Sequence, residues 1–153
     1  MMDRRKLLIG GMAMGTAALL PTLAFAAKAK IYSNSATGVA INGYDPVAYF
    51  TDGKPVEGTD MHSLSWKGAT WYFASAENKE IFEAMPEKYA PQYGGYCAYA
   101  VSYGSTATTA PEAWSIVDGK LYLNYSVGVQ RRWNSDQQGY IKKANKNWPN
   151  VLN

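Results

Sequence analysis

The chain has 153 residues, enough for one domain with one hydrophobic core, and a formal net charge of +3. Three of its fifteen basic residues and one of its twelve acidic residues come before residue 7, so the rest of the chain carries a net charge of +1. This weak charge gives no indication of nucleic-acid binding. With a single cysteine and a single histidine, the chain can form neither an internal disulfide nor a four-cysteine zinc site.

The N-terminus has the pattern of an export signal. Arg4 and Arg5 precede an apolar, glycine-containing stretch over residues 7–20, and Ala24 and Ala26 are small residues two positions apart, as a signal peptidase requires. The paired arginines resemble a twin-arginine signal, and an uncleaved anchor is the alternative. We expect residues 1–26 to be the signal peptide, the protein to be periplasmic, and the mature chain to have no membrane span.

A lead-in and an extended segment come next. Residues 27–37 are small and polar and predict a flexible lead-in, followed by a single domain over residues 38–153. The run from Val39 to Phe50 predicts a short strand and a turn at Asn42-Gly43. After the turn we expect extended chain, because Asp45 precedes a proline and is disfavoured in helical space.

Residues 62–73 have the pattern of a β-hairpin. From His62 to Trp66, residues expected on the apolar face alternate with serines. Lys67-Gly68 can form a two-residue turn, and residues 69–73 can form the second strand of the hairpin. This turn predicts three cross-strand pairs: Trp66 with Ala69, Leu64 with Trp71, and His62 with Phe73. The sole histidine is therefore expected on the apolar face of the hairpin.

Helices and a second hairpin follow. Ser75 is a suitable N-cap for a helix from about Ala76 to Met85 that buries Phe82 and Met85. Asp118-Gly119 predicts the turn of a second hairpin over residues 113–125. Two further helices are expected near residues 126–133 and 137–147. These elements indicate the α+β class.

The only thiol lies in the segment Tyr93-Gly94-Gly95-Tyr96-Cys97. The two glycines permit positive φ and a sharp bend just before the sulfur. A lone cysteine in this setting could be a reactive thiol, a metal ligand or a small buried hydrophobe.

Three segments, residues 43–48, 61–75 and 82–89, resemble the YHS domain, a small metal-associated module related to treble-clef folds and found beside heavy-metal transporters. The loop Tyr-Gly-Gly-Tyr-Cys-Ala-Tyr resembles that of exported YHS proteins, some of which carry selenocysteine where this chain has Cys97. The resemblance implies a small YHS-type domain of two β-hairpins with packed helices and a C-terminal helical extension.

This chain departs from the metal-linked form of the domain. The cysteine positions of that form fall here on Ala48, Ala74 and Asn78, so its usual thiolate site is absent. The name-giving tripeptide is Met61-His62-Ser63, with methionine in place of tyrosine.

Three functions are open. The leading prediction is a non-enzymatic protein that binds a soft metal ion, copper first, through Cys97 and His62, with Met61 or Met85 as a weak third ligand. The alternative is a thiol-dependent redox protein in which His62 lowers the pKa of Cys97 and the thiolate reacts with a small thiol or oxidant. The third is a partner-binding module without chemistry that uses its aromatic surface.

Four further residues are assigned supporting roles. Asp45 is expected either to orient His62 or to bond the backbone near its own turn. Gly94 and Gly95 are expected to allow the bend in residues 93–97, which we call the cysteine loop. Tyr96, with its aromatic ring, directly precedes Cys97 in the sequence.

Overall fold

The computed structural model describes residues 17–21 and 26–153. The predicted signal peptide therefore lies almost entirely outside the described residues. The described part is a mixed α+β structure with six α-helices and two small antiparallel hairpins, which confirms the predicted class. In chain order, the elements are α1 (Ala48–Thr51), β1 (Thr59–Trp66), β2 (Ala69–Phe73), α2 (Ala76–Ala84), α3 (Pro86–Tyr89), α4 (Ala98–Ser102), β3 (Trp114–Val117), β4 (Lys120–Leu123), α5 (Val127–Asn134) and α6 (Gln137–Asn147).

The first hairpin forms with the predicted turn but only part of the predicted register. Trp66 pairs with Ala69 and Leu64 with Trp71, which confirms two of the three predicted pairs. The third is wrong, because Phe73 pairs with Thr59 and residues 60–62 bulge out of the ladder.

A close backbone approach accounts for this bulge. The N–H of Gly58 donates to Gly43 O at 2.9 Å, and a Cβ on Gly58 would lie 2.4 Å from the carbonyl carbon of Tyr72. The start of β1 is thus held against the backbone of β2. Between the paired positions β1 has three more residues than β2, and these three, which include His62, lie outside the ladder.

The other elements follow the sequence prediction closely. Ser75 caps α2 by accepting from the N–H of Asn78 at 3.1 Å, and Phe82 is fully buried. Met85, predicted to lie in the core, is 49% exposed, because the helix ends at residue 84 and Met85 has left the helical conformation. The second hairpin and the two C-terminal helices lie at their predicted positions.

The segment over residues 39–50 differs from its prediction. It forms a short 3₁₀ turn over Ile41–Gly43 and the helix α1, with only isolated β-bridges in place of a strand. The turn at Asn42-Gly43 is present, and both residues have positive φ. The short helix α4 also lies in a segment whose sequence shows no helical pattern.

Two clusters of buried apolar side chains form the interior. The first lies under the first hairpin and includes Trp71, Phe73 and Phe82. The second lies beneath α5 and α6 and is centred on Trp133. No helix in the described ranges is long and apolar enough to cross a membrane.

Residues 28–32 contact both the cysteine loop and the C-terminal residues. The N–H of Lys28 donates to Leu152 O at 2.7 Å, and the N–H of Tyr32 donates to Gly94 O at 2.8 Å. Ile31 is 4% exposed and belongs to the first cluster. The predicted lead-in therefore makes ordered contacts with the cysteine loop and the C-terminus.

A buried carboxylate holds the first hairpin to the helices on either side of it. Asp45 is fully buried; its Oδ1 accepts from the N–H groups of Val47 at 2.8 Å and Ala48 at 3.3 Å. Its Oδ2 accepts from Ala74 N–H at 2.9 Å and from Asn78 Nδ2 at 2.7 Å. One side chain thus joins α1, the end of β2 and α2, and we call these contacts the Asp45 hub.

We expect Asp45→Ala to lower the free energy of unfolding by about 3 kcal/mol, because several buried donors lose their acceptor. Asn78→Ala removes one of the four contacts and should cost about 1 kcal/mol. Asp52→Ala, on an exposed aspartate next to α1, should change the value by less than about 0.5 kcal/mol. Urea unfolding followed by tryptophan fluorescence measures all three, and equal effects of Asp45→Ala and Asp52→Ala would contradict the role of the hub.

Candidate functional site

The cysteine loop is built on three consecutive residues in the left-handed region. Tyr93, Gly94 and Gly95 have φ values of 58°, 63° and 84°. A Cβ on Gly94 would lie 1.9 Å from Lys30 O, and one on Gly95 would lie 2.5 Å from Ile41 Cγ2. Both glycines are therefore needed for the close approach of the loop to its neighbours as well as for positive φ. The sequence predicted the positive φ at the bend before the sulfur.

The sulfur of Cys97 is buried in a polar pocket. Cys97 is 1% exposed, and its Sγ accepts from the backbone N–H of Tyr125 at 3.2 Å. The thiol donates to Asn124 Oδ1 at 3.6 Å. The N–H of Cys97 donates to Ala107 O at 3.1 Å, which fixes the residue at the start of α4.

Asn124 is the residue that sequence reasoning missed. It directly follows β4 and is fully buried, and its Oδ1 also accepts from Tyr99 N–H at 3.0 Å. Its Nδ2 is buried and has no hydrogen-bond partner in the described part of the chain. Leaving a buried amide N–H unpaired costs about 1–3 kcal/mol, so this donor requires an explanation.

Burial raises the pKa of the Cys97 thiol, because the thiolate would lose its hydration. The backbone N–H groups of Ala100, Tyr125 and Tyr99 act in the opposite direction by donating toward the sulfur, but burial has the larger effect. The redox hypothesis predicted the opposite direction, a pKa lowered by His62, and His62 is not among the groups that act on the thiol.

The structure gives His62 and Cys97 different neighbours. His62 is half-buried in the bulge of β1, a strand that packs on β2 and α2. Cys97 precedes α4, which packs on α5, α6 and the cysteine loop. Over residues 17–21 and 26–153, no hydrogen bond joins the two side chains, and no three His, Cys, Asp or Glu side chains form a group that could hold a metal ion. The pairing of His62 with Cys97 stays a prediction.

The other candidate residues make no described hydrogen bond to the sulfur. Met61 is 82% exposed on β1. Asp45 bonds backbone N–H groups near its own turn, and its described hydrogen bonds do not include His62. Tyr96 points its hydroxyl toward the lead-in, where it donates to Ala29 O at 2.7 Å.

Tyrosine rings cluster where α4 packs on α6. The rings of Tyr99, Tyr103 and Tyr140 lie 5.0–6.3 Å apart between centroids. Tyr125, whose N–H contacts the sulfur, is 55% exposed. An aromatic surface of the kind expected for the third hypothesis is therefore present.

Comparison with protein families supports the resemblance over one part of the chain. The family model described as the YHS domain matches residues 47–93. The chain contains a YHS domain. The matched segment includes His62 and ends four residues before Cys97, so the thiol pocket lies outside it. No curated protein and no solved structure gives a significant match to the chain.

The Asp45 hub contacts the three positions at which the resemblance to the metal-linked form implies cysteine. The N–H groups of Ala48 and Ala74 and the side-chain amide of Asn78 all donate to the Asp45 carboxylate. One carboxylate therefore contacts all three positions through hydrogen bonds.

We expect Gly94→Ala to destabilise the protein by at least about 1 kcal/mol more than Gly119→Ala, as measured by chemical unfolding. Both residues have positive φ, so both substitutions introduce the same kind of backbone strain. Only at Gly94 does the added Cβ meet backbone, whereas Gly119 has open space around it. Equal losses for the two variants would show that the approach of Gly94 to Lys30 is unimportant.

Proposed function

We propose that this YHS-domain protein is an exported, periplasmic thiol-dependent redox protein in which Cys97 reduces small hydroperoxides. The observation that carries the proposal is the Asn124 amide, whose oxygen accepts from the thiol while its Nδ2 is buried without a partner in the described part of the chain. A purely structural cysteine does not require an unpaired donor beside it. An oxygen atom added to the sulfur would supply the acceptor that this donor lacks.

The burial of the sulfur narrows the class of oxidant. With Cys97 only 1% exposed, a bulky disulfide cannot reach it without local opening, whereas a hydroperoxide is small and can be uncharged. The N–H groups that surround the sulfur favour the thiolate and would support a developing negative charge during attack.

The reaction balances with a hydroperoxide and a low-molecular-weight thiol. The Cys97 thiolate attacks one peroxide oxygen, so an S–O bond forms, the O–O bond breaks, and the sulfur is oxidised by two electrons. The other oxygen leaves with the thiol's proton as water or an alcohol, and Cys97 becomes a sulfenic acid. Because the chain has no second cysteine, recovery requires local opening, after which one external thiol displaces water to form a mixed disulfide. A second external thiol then releases Cys97 and leaves as the small disulfide.

We expect folded wild-type protein treated with hydrogen peroxide to form a sulfenic acid at Cys97, detected by dimedone adduction and mass spectrometry. The rate should keep rising with pH above about 8.5, the value for a free cysteine, because burial raises the pKa and delays thiolate formation. Cys97→Ser is the control without a thiol. A folded protein whose sulfur is never oxidised would contradict the proposal, whereas a rate that levels off below about pH 8.5 would contradict only the raised pKa.

We expect Asn124→Ala to slow this oxidation about tenfold, the loss that follows from one hydrogen bond of about 1.4 kcal/mol. Alkylation by iodoacetamide, which adds no oxygen to the sulfur, should not slow in the same variant. Asn124 would then act as a positioning residue. If both reactions slow together, the variant has only changed access to the sulfur, and the role of the amide is overturned.

Soft-metal binding is the second candidate, and the presence of a YHS domain, often associated with metal handling, favours it. In this proposal copper(I) is held by Cys97 and His62, with Met61 as a third ligand. The donor types suit copper(I), and the two side chains share no hydrogen bond among the described residues.

For this second candidate we expect one equivalent of copper(I) to bind in competition with a chromogenic chelator. Cys97→Ser should abolish the binding, because it removes the only thiolate, and His62→Ala should weaken it at least about tenfold, because it removes the only imidazole ligand. Met85→Leu, at an exposed methionine outside the proposed site, is the matched control. Unchanged stoichiometry in Cys97→Ser would remove the metal proposal and leave the redox proposal untouched.

A further inference from the structure

A cleft of about 350 Å³ lies between the turn of the first hairpin and the C-terminal end of α6. Its floor is made by buried residues of the lead-in and the cysteine loop, Ile31, Ala90, Pro91 and Tyr93. The volume is at the lower end of the range for small-molecule sites. Cys97 does not line the cleft, so a ligand bound there would have a role beyond the proposed redox function.

Two indole rings line this cleft, and both are held in place by other aromatic side chains. The ring of Trp66 meets Phe82 edge-on at 5.5 Å between centroids. The ring of Trp148 packs on Tyr93 at 6.0 Å and on Tyr96 at 6.2 Å. Because these contacts exist without a ligand, the cleft offers preformed flat apolar surface, which favours a planar guest.

The charged side chains that line the cleft are Lys30, Lys67 and Glu87, which leaves an excess of one positive charge. Lys67 is already paired, with its Nζ 2.6 Å from Glu87 and 4.5 Å from the centroid of the Trp66 ring. Lys30 also lines the cleft, and it takes part in no ion pair among residues 26–153. The side-chain oxygen of Asn145 accepts from the Tyr93 hydroxyl at 2.8 Å, so its Nδ2 is the group left to donate.

We propose that this cleft binds a small aromatic carboxylate. The ring would lie against the indole surfaces, and the carboxylate would accept from Lys30 Nζ and Asn145 Nδ2. The apolar floor of the cleft disfavours a ligand with several charges, because burying charge is costly. The excess of positive charge and N–H donors favours an anionic ligand over a cationic one.

Isothermal titration of the full folded chain with indole-3-acetate tests the proposal, with indole and acetate as probes that lack the carboxylate or the ring. We expect saturable binding of indole-3-acetate at one site and binding at least tenfold weaker for each fragment. Lys30→Met should weaken binding about fivefold, because a partly exposed charge pair contributes up to about 1 kcal/mol. Lys54→Met, the same change of charge at an exposed turn residue outside the cleft, should leave binding unchanged.

Proton–nitrogen spectra locate the binding independently. Addition of indole-3-acetate should shift the indole N–H signals of Trp66 and Trp148 but leave that of Trp133, buried in the second cluster, in place. Absence of saturable binding, equal binding of indole, or equal weakening by Lys30→Met and Lys54→Met would each overturn the proposal. None of these outcomes bears on the peroxide reaction of Cys97.

Discussion

The backbone contact between residues 30–32 and residues 93–95 is the constraint on which the rest of the structure depends. The N–H of Tyr32 donates to Gly94 O, and Gly94 lies so close to Lys30 O that no side chain fits between them. Ile31 belongs to the first apolar cluster and Tyr93 to the second, so this contact joins the two. It sets the bend that leads to Cys97 on one side and forms the floor of the cleft on the other.

Much of the fold could be predicted because its signals are local. The cap at Ser75 and the turn at Asp118-Gly119 depend on residues within four positions of each other, and both elements form as predicted. The position of His62 could not be predicted, since the bulge in β1 arises from the approach of Gly58 to Tyr72, fourteen residues further along. Periodicity alone does not reveal a long-range contact of this kind.

The candidate site, like the fold, could be predicted from the sequence only in part. The sequence identifies Cys97 as the only thiol and the two glycines as the source of the bend. It does not reveal Asn124, because an asparagine after a strand usually ends the strand at the surface, and only folding shows that this one is buried beside the sulfur. The role of Asn124 depends on where folding places it. No motif or fixed spacing to Cys97 marks such a residue in the sequence.

The Asp45 hub has a consequence for the conditions under which the domain can fold. Where a metal ion ties a small hairpin to its helices, the folded population depends on metal concentration and on the redox state of the ligands. Here the same positions are joined by main-chain donors, one amide and one carboxylate, all supplied by the polypeptide. These contacts use neither a metal ligand nor a thiol, so oxidation of Cys97, the only thiol of the chain, would leave them in place.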